Sequence, residues 1–369
     1  MNLSELKESI DKKDMYSLIV NFAKEFEESF INFDKISLPE EIEIKGKIRR
    51  LSPVQNIVIV GMGGSAIGGD IVLSYLYKKI RKPVFLVRNL VLPGFVDENT
   101  LLVGVSYSGN TDETLLAFIE GIKRGVYPVI ITSDGLLQKV ANKIRVPVFD
   151  LPEGRPPRTS TAYMLSALLH ILEKSDTVTL DRHEILSSIS SLSKVLEEYA
   201  SLSDETLPVQ VARKIKGTVP LIYAYKPYTP IGYRFKTQLN ENAKYHAFFG
   251  ELPEVDHNEI MGWEGKLYGK YLPVFLLGKY GERDVKMIID YWENLLKGEN
   301  IEYIKIEGAG ENLLSDMLYL LVTCDMISYV LALLESRDPT PVGIITKLKE
   351  YLLNNTSLRQ RVLSEINTL

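Results

Sequence analysis

Short apolar segments alternate with longer helical patterns through the first half of this 369-residue chain, and that alternation constrains its fold more than any other feature. Strand candidates lie at residues 57–60, 84–87, 101–105, 129–132 and 146–150. Helical patterns of about 10–15 residues separate most of them, as in proteins whose parallel sheet is covered by helices on both faces. Further strand candidates follow at residues 221–225, 274–277 and 303–306. We therefore predict an α/β protein with two doubly wound parallel-sheet domains in tandem, flavodoxin-like or Rossmann-like and flanked by helices.

The length and the local composition predict four consecutive segments. At about 150 residues per domain, the chain has room for two domains with full hydrophobic cores. Residues 1–50 are rich in Lys and Glu and are predicted to form surface helices, and residues 51–175 form the first sheet domain. A polar helical connector is predicted over residues 176–205. The second sheet domain, with C-terminal helices, covers residues 206–369.

The charge and the apolar runs argue against several classes of function. A net charge of −5 is unsuited to a nucleic-acid surface. Apolar runs such as residues 57–60 and 129–132 are only strand-sized, so we expect no membrane association. The N-terminus is polar and has no signal-peptide core. Cys324 is the single cysteine, so no intrachain disulfide forms and the residue is expected in a helix core. These features predict a cytoplasmic protein.

Residues 104–114 (GVSYSGNTDET) carry the clearest binding signal. An apolar strand runs into this loop, and an amphipathic helix is predicted from about residue 112. The N–H groups and dipole of its first turn favour an anion, and hydroxyls add further donors. The hydroxyl side chains are Ser106, Ser108 and Thr111. Asn110 is the predicted N-cap, with Glu113 completing a capping box. Without a lysine the loop is not a Walker A motif, so it suits a small phosphate monoester, and the alternative is an ordinary capped turn. The second half repeats the pattern without these hydroxyls, so we expect phosphate only in the first domain.

A glycine-rich loop at residues 61–70 follows the first strand. The residues that satisfy the dinucleotide-binding fingerprint are Gly61, Gly63 and Ala66. The fingerprint also needs an acidic residue about twenty positions on, but the second strand is followed by Arg88 and Asn89. Arg88 leaves an NADP enzyme as the alternative. We favour close backbone packing, with Ser65 as one more hydroxyl beside the phosphate loop.

A second group of polar residues lies in the other half of the chain. In a predicted helix, the residues spaced by four that would face the core are Phe235, Leu239 and Ala243. Glu241 would then point off the buried face together with Arg234 and Gln238, where a solvated glutamate is the simpler interpretation. The loop at residues 251–259 is crowded with polar groups, and a surface position also accounts for its His257.

At these residues the chain resembles the archaeal-type bifunctional phosphoglucose/phosphomannose isomerases, members of the phosphoglucose isomerase superfamily built from two sugar isomerase (SIS) domains. The resemblance covers roughly residues 55–350. Six motifs carry it: Gly-Met-Gly-Gly-Ser at 61–65, Ser-Tyr-Ser-Gly-Asn-Thr at 106–111, Pro-Arg at 157–158, Asn-Glu-Asn-Ala-Lys at 240–244, Leu-Pro-Glu at 252–254 with His257 and Asn258, and Leu348-Lys349. Each motif alone is weak, but their occurrence in order is specific.

The resemblance implies interconversion of glucose 6-phosphate with fructose 6-phosphate through a cis-enediol, with mannose 6-phosphate as a second aldose. It assigns Glu241 as the base and Arg158 to a place beside the reacting carbons. It assigns His257 and Lys349 to the ring oxygen, although Lys347 lies close by and only the motif spacing favours Lys349. The residues implied in phosphate binding are Gly64, Ser65, Ser106, Ser108 and Thr111.

The resemblance also implies a homodimer, because in this superfamily the neighbouring subunit supplies the histidine, here His257. Enediol chemistry needs no cofactor and no metal. The histidines, which show no zinc-ligand spacing, are His170, His183, His246 and His257. Two alternatives stay open: a non-catalytic SIS sugar-phosphate sensor and another phosphosugar isomerase. The combination of Glu241, Arg158 and His257 favours an enzyme.

Overall fold

A computed structural model of the chain describes residues 2–265, 269–281 and 283–369. Its α-helices are α1 (Leu3–Ile10), α2 (Met15–Val20), α3 (Phe22–Phe33), α4 (Gly64–Leu76), α5 (Asp112–Arg124), α6 (Gly135–Ile144), α7 (Thr161–Lys174), α8 (Arg182–Tyr199), α9 (Leu207–Ile215), α10 (Thr229–Glu241), α11 (Arg283–Gly298), α12 (Leu313–Leu334), α13 (Gly343–Asn355) and α14 (Leu358–Thr368). Its strands are β1 (Glu41–Ile44), β2 (Lys47–Arg50), β3 (Asn56–Gly61), β4 (Val84–Val87), β5 (Thr100–Ser106), β6 (Tyr127–Thr132), β7 (Val148–Asp150), β8 (Val219–Tyr225), β9 (Phe248–Leu252), β10 (Tyr271–Leu277) and β11 (Ile304–Glu307). Short 3₁₀ turns lie at Pro157–Thr159, Glu254–His257 and Glu259–Glu264.

The chain forms two compact units, each built from two separate segments. The five-stranded unit comprises Glu25–Leu180 and Val342–Leu369, and the four-stranded unit comprises Met1–Lys24 and Asp181–Pro341. This grouping differs from the four consecutive segments predicted from composition. The N-terminal residues divide between the two units, and helices α13 and α14 belong with the first sheet rather than the second.

The five-stranded sheet has the order β4-β3-β5-β6-β7, and all of its strands are parallel. Every residue of β5 and β6 is buried, which explains their uninterrupted apolar sequences. The order reverses between β3 and β5, because the chain first moves to β4 on one side and then to β5 on the other. Such a reversal opens a crevice at the carboxyl ends of the two strands.

The four-stranded sheet repeats this topology with the order β11-β10-β8-β9, again entirely parallel. The prediction of two doubly wound parallel-sheet domains is therefore confirmed. All eight predicted strands are present, but β9 was missed. Strand β9 lies at the edge of its sheet, contains Gly250 and buries only Leu252 fully, so its sequence lacks a clear apolar pattern.

The helical prediction for residues 1–50 is wrong over the last ten residues, which form the antiparallel hairpin β1–β2. Residues of β1 alternate between exposed and buried, which is the signature of a half-buried strand. Lys45 and Gly46 both have positive φ angles, of 54° and 69°, as a two-residue hairpin turn of the primed type requires. The sequence shows the alternation of Glu and Ile over residues 41–44 and the glycine at position 46.

Helix α12 is long and apolar enough to cross a membrane by length and composition, with a mean hydropathy of 2.0 in its most apolar window. It was not predicted from the sequence, because Asp316 and Asp325 interrupt the apolar run. The structure buries 89% of that window inside the protein, as in the central helix of a packed core. Cys324 lies buried on this helix, as predicted.

A small ionic network joins α11 to the neighbouring strand β11. Glu293 Oε1 lies 2.8 Å from Lys305 Nζ, and its Oε2 accepts hydrogen bonds from Tyr303 Oη at 2.7 Å and Lys297 Nζ at 3.2 Å. The hydrogen bond from Lys305, with further help from the other two donors, lowers the pKa of Glu293 to about 2. The charged form is therefore favoured more strongly in the folded state than in the unfolded chain.

We expect Glu293→Gln to lower the free energy of unfolding by about 1–2 kcal/mol at pH 7, less than the pKa shift alone implies because solvent screens part of the network. The folded-state pKa is depressed, so this contribution is complete above the unfolded pKa of about 4.3 and is lost as the pH falls towards about 2. Urea unfolding at pH 7, 5 and 3 measures it. The control is Glu299→Gln, which alters an exposed carboxylate. A difference that does not shrink at low pH would contradict the assignment.

Candidate active site

The predicted phosphate residues converge on the crevice of the five-stranded sheet. Strand β3 ends at Gly61 and β5 ends at Ser106, and these are the strands between which the order of the sheet reverses. The crevice at such a reversal is where doubly wound sheets bind ligands. Helices α4 and α5 follow these strands after short loops, so their N-termini lie at the same end of the sheet.

Hydroxyl groups line this edge and are held by specific hydrogen bonds. Ser65 Oγ accepts a hydrogen bond from the backbone N–H of Tyr107 at 3.1 Å, which joins the two loops. Ser106 Oγ donates to Thr111 Oγ1 at 3.1 Å. Ser65 and Ser106 are buried, whereas Ser108 is exposed at the mouth. The structure thus brings together the predicted residues of both loops.

Helix α5 begins differently from the prediction. Its N-cap is Thr111, not Asn110, and the Thr111 side chain makes no capping hydrogen bond. Asn110 instead donates to Ser108 O at 2.8 Å and accepts from Leu136 N at 3.2 Å, because the loop packs against the turn after β6. The predicted capping box is therefore wrong. Without a side-chain cap, the first N–H groups of α5 stay directed towards the crevice, which favours an anion there.

Arg158 reaches this edge through a backbone contact with Gly64. A Cβ atom added at Gly64 would lie 3.1 Å from Arg158 N and 3.3 Å from its Cα, so only glycine fits without displacement. Gly64 is the first residue of α4, and Arg158 lies in the turn Pro157–Thr159 with only 3% of its surface exposed. The turn that carries Arg158 is thus packed directly on the start of α4.

Tyr107 links the predicted phosphate loop to the segment just before the turn Pro157–Thr159, a role not predicted from the sequence. Its hydroxyl donates to Pro152 O at 2.8 Å and accepts from Arg155 N at 3.0 Å. Arg155 in turn makes two hydrogen bonds to the Glu25 carboxylate, at 2.5 and 2.8 Å. Tyr107 lies inside the Ser-Tyr-Ser motif, but its partners come from distant segments, so only the fold reveals this function.

A second missed residue, Arg359 on α14, lies beside the start of α5. Its Nη2 donates to Asn110 O at 2.7 Å, and its Nε lies 2.9 Å from Asp112 Oδ1. Burial raises the pKa of Asp112, and the Arg359 charge partly opposes that rise. This ion pair offsets the negative charge of Asp112 at a helix terminus that otherwise attracts anions. No motif marks Arg359 in the sequence.

The glycine-rich loop shows close packing. A Cβ at Gly61 would lie 3.1 Å from Val105 O on the neighbouring strand, so glycine lets β3 and β5 approach at their ends. Arg88, the residue that kept an NADP enzyme open, is paired with Asp70 on α4. Both observations favour the packing interpretation over the dinucleotide site.

Glu241 is the last residue of α10, in the four-stranded unit. The face that carries it was expected to be solvated, and this expectation is wrong. Arg234 and Gln238 on that face are buried, with 3% and 2% of their surfaces exposed, because they pack against α12. Glu241 itself is half-buried. Because α10 is covered on this side as well as on its apolar side, simple amphipathic patterning misjudged it.

Glu241 lies near the amino ends of the strands in the four-stranded sheet, whereas His257 lies near their carboxyl ends. Glu241 precedes the amino end of β9 in the chain. Nearby, Tyr245 Oη accepts a hydrogen bond from Gly217 N and donates one to Thr218 O, just before the amino end of β8. His257 is exposed in the turn Glu254–His257, which follows the carboxyl end of β9. Strand β9 has 5 residues, so its amino and carboxyl ends are about 13 Å apart.

Lys349 and Lys347 both lie on α13, a helix on which every residue is exposed. Exposure therefore does not distinguish between the two lysines. Helix α13 belongs to the five-stranded unit, as do Arg158 and the phosphate loops.

The crevice of the four-stranded sheet is filled by the chain's own carboxylate. Asp316 is fully buried, and its oxygens accept hydrogen bonds from Gly310 N at 2.9 Å, Lys279 N at 2.8 Å and Tyr228 Oη at 2.7 Å. These donors follow β11, β10 and β8, so they occupy the edge equivalent to the phosphate loops. That only the first domain holds phosphate stays a prediction, and Asp316 supplies a physical reason for it.

Among the residues that the structure describes, one group has ligand atoms close enough for a metal ion. Asp34, His170 and Glu173 place theirs within 4.8 Å of one another. His170 Nε2 is 2.8 Å from Phe30 O, and its ring stacks on Phe30. The group contains no predicted site residue.

Comparison with known proteins identifies the family. The chain is 36% identical over 304 residues to the bifunctional phosphoglucose/phosphomannose isomerase of Aquifex aeolicus, covering 82% of this chain and 92% of that protein. This chain belongs to the bifunctional phosphoglucose/phosphomannose isomerase family. It is therefore an isomerase enzyme, as predicted. Residues 205–352 also match the family described as the bacterial phospho-glucose isomerase C-terminal SIS domain.

Two further proteins are similar to this chain, one in sequence and one in fold. A D-glucosamine-6-phosphate 4-epimerase from Sulfolobus acidocaldarius is 33% identical over 237 residues, which cover 64% of this chain and 73% of the epimerase. The solved structure of a glucosamine-6-phosphate deaminase from Thermotoga maritima aligns with a TM-score of 0.62 at 16% identity, covering 92% of this chain and 97% of the deaminase chain. The latter likeness concerns the fold alone.

We expect Gly64→Ala to lower isomerase activity about tenfold or more, because the new Cβ displaces the Arg158 backbone and small displacements of catalytic groups are costly. Thermal unfolding should change little, since alanine suits the first turn of a helix. The matched control is Gly94→Ala, where an added Cβ has nothing within 4 Å. Equal activity in the two variants would show that the contact between Gly64 and Arg158 does not matter.

Proposed function

We propose that this enzyme interconverts glucose 6-phosphate and mannose 6-phosphate with fructose 6-phosphate, without a metal and through a cis-enediol. The observation that carries the proposal is the crevice between β3 and β5. It combines two helix N-termini that lack side-chain caps, the hydroxyls of two serine loops and a buried arginine turn. A phosphate group matches these donors, and the activity named for the Aquifex relative fits them.

The phosphate would be held by the start of α5 and by hydroxyls of both loops. The residues assigned to it are Gly64, Ser65, Ser106, Ser108 and Thr111. Hydroxyl and N–H donors suit a phosphate monoester because each donor can match one of its oxygens. Arg359, which neutralises Asp112 next to this group, supports binding of a dianion. The phosphate then positions C1 and C2 of the sugar for reaction.

Glu241 is assigned as the base. It would take the proton from C2 of the aldose and return it to C1, passing through the planar enediol. A carboxylate as the last residue of a helix opposes the helix dipole, so its place there does not serve the stability of α10. Arg158 would stabilise negative charge on the enediolate oxygens more strongly than it stabilises the substrate. Delivery of the proton to either face of C2 gives glucose or mannose 6-phosphate.

His257 is assigned to ring opening, and we propose that a second copy of the chain supplies it. Within the four-stranded unit, Glu241 lies near the amino ends of the strands and His257 near their carboxyl ends, which are about 13 Å or more apart. A base at C2 and an acid at the ring oxygen must contact neighbouring atoms of one sugar. One unit therefore does not provide both groups to the same substrate, which supports a homodimer. Sedimentation of a fully active monomer would contradict this assignment.

Two further assignments complete the proposal. Lys349 would assist His257 at the ring oxygen, and an unchanged rate of ring opening in Lys349→Ala would remove it. The enzyme is proposed to act in the cytoplasm, on free sugar phosphates in carbohydrate metabolism and without nucleic-acid or membrane partners. Recovery of the protein with cell membranes would contradict that location.

The proposal is tested with EDTA-treated protein and fructose 6-phosphate, quantifying glucose 6-phosphate and mannose 6-phosphate separately. We expect both products and no loss of activity after chelation, because the enediol route needs no Lewis acid. Loss that Zn²⁺ restores would contradict the metal-free mechanism. Binding without any product would favour a sugar-phosphate sensor. Conversion of glucosamine 6-phosphate at C4 would favour the activity named for the Sulfolobus relative.

We expect Glu241→Gln to lower kcat by about 10²–10⁴-fold, the range for losing a general base, while substrate still binds. Steady-state kinetics and binding of fructose 6-phosphate measure the two effects. The control is Glu205→Gln, an exposed glutamate of the same unit. Near-normal turnover of the Glu241 variant would remove this residue from the mechanism.

A further inference from the structure

Helix α10 is fastened to α12 by a buried stripe of polar side chains. Asp325 accepts two hydrogen bonds from Arg234, Nε to Oδ1 at 3.0 Å and Nη2 to Oδ2 at 2.7 Å. Gln238 Nε2 adds a third, to Oδ1 at 3.0 Å. One turn further on, Asn242 Nδ2 donates to Ser328 Oγ at 2.9 Å, and Ser328 Oγ donates to Asp325 O at 2.7 Å. Arg234 and Gln238 on α10 and Asn242 at its C-terminal cap are thus tied to a single turn of α12.

This stripe is an expensive way to join two helices. The side chains of Arg234 and Asp325 are only 3% and 6% exposed, so both charges have lost their solvent. The desolvation of a buried ion pair often cancels its attraction, and apolar residues of similar size stabilise such contacts equally well or better. What the pair adds over apolar packing is direction, because the planar guanidinium fork accepts the carboxylate in one geometry. It fixes both the rotation of α10 and its position along its axis.

The rotation matters because Glu241 shares this face. Seven residues at 3.6 per turn place Glu241 about 20° around the helix from Arg234, two turns towards its end. Gln238 lies one turn before Glu241, and Asn242 directly follows it. Any rotation or slide of α10 that the ion pair permits is therefore transmitted to the Glu241 carboxylate.

We propose that Asp325, through Arg234 and Gln238, is a positioning residue that sets the direction of the Glu241 carboxylate. This proposal rests on the proposed role of Glu241 as the base. Asp325 does not take part in proton transfer. Its function is to hold the helix that presents the base, so its loss lowers kcat and leaves binding of the phosphate sugar intact.

The test replaces all three buried partners together in the triple variant Arg234→Met, Gln238→Met and Asp325→Val. No member of the group is then left charged or unsatisfied, so the fold should persist. We expect kcat to fall about 10- to 100-fold, the cost of displacing a catalytic group by about 1 Å. KM should stay within about twofold, because the loss falls on the chemical step. The primary deuterium isotope effect with C2-deuterated glucose 6-phosphate should rise as proton abstraction becomes slower.

A matched control removes a buried polar contact from the same helix. Thr323 Oγ1 lies 3.0 Å from Tyr199 Oη and joins α12 to α8, which carries no site residue. Thr323→Val should lower stability without changing kcat or the isotope effect. A folded triple variant with wild-type kcat would overturn the proposal. So would a fall in kcat with an unchanged isotope effect, which indicates general damage rather than misplacement of the base.

Arg234→Lys covers the case in which the triple variant does not fold. Lysine keeps the charge but replaces the two-point fork with a single contact, so a smaller fall in kcat and a smaller rise in the isotope effect are expected. Wild-type values for both would overturn the proposal. Its failure is distinguishable from failure of the proposed function, because Glu241→Gln reports on the base itself. An inactive Glu241 variant beside a fully active triple variant rejects only the positioning role.

Discussion

Parallel pairing of the strands is the constraint on which the functional groups of this protein depend. In each sheet, parallel strands bring the loops after their carboxyl ends to the same end of the sheet. The reversal of strand order then directs two of those loops to opposite sides, which opens a crevice between them. In the five-stranded sheet the parted loops are the two serine loops that begin α4 and α5. Gly64 then packs against the backbone of Arg158, and Tyr107 binds Arg155 N just before that turn. Local sequence supplies the donors, and strand order supplies their convergence.

Glu241, the proposed base, is held by a different principle. Glu241 does not lie at a carboxyl edge but at the far end of a crossover helix, where the sheet offers no loops to support it. We propose that its placement relies on the buried contact between α10 and α12. A charged contact inside a core costs stability that apolar residues would not, so its presence here is best explained by the direction it imposes. The protein thus accepts weaker packing where orientation is needed.

The sequence predicted the tandem α/β fold because buried parallel strands leave continuous apolar runs, as in β5 and β6. It also predicted that hydroxyls of the two serine loops come together, since hydroxyls and glycines directly after strands are a local signal. It failed where the deciding partner is distant. The buried face of α10 depends on Asp325, and the true N-cap of α5 depends on the turn that receives Asn110. The half-exposed edge strand β9 had no periodic signal, and Arg359 reaches its site from the last helix of the chain.

The carboxylate of Asp316 makes the crevice of the four-stranded sheet differ from that of the five-stranded sheet. Because it is covalently attached, its effective concentration at the backbone donors exceeds that of any dissolved anion. Removing it would also take this acceptor from Gly310 N, Lys279 N and the buried Tyr228 Oη, so a competitor gains nothing by entering. The second crevice therefore behaves as permanently occupied. In the proposed function, phosphate therefore binds only at the five-stranded sheet, and the four-stranded unit carries the helix that ends in Glu241.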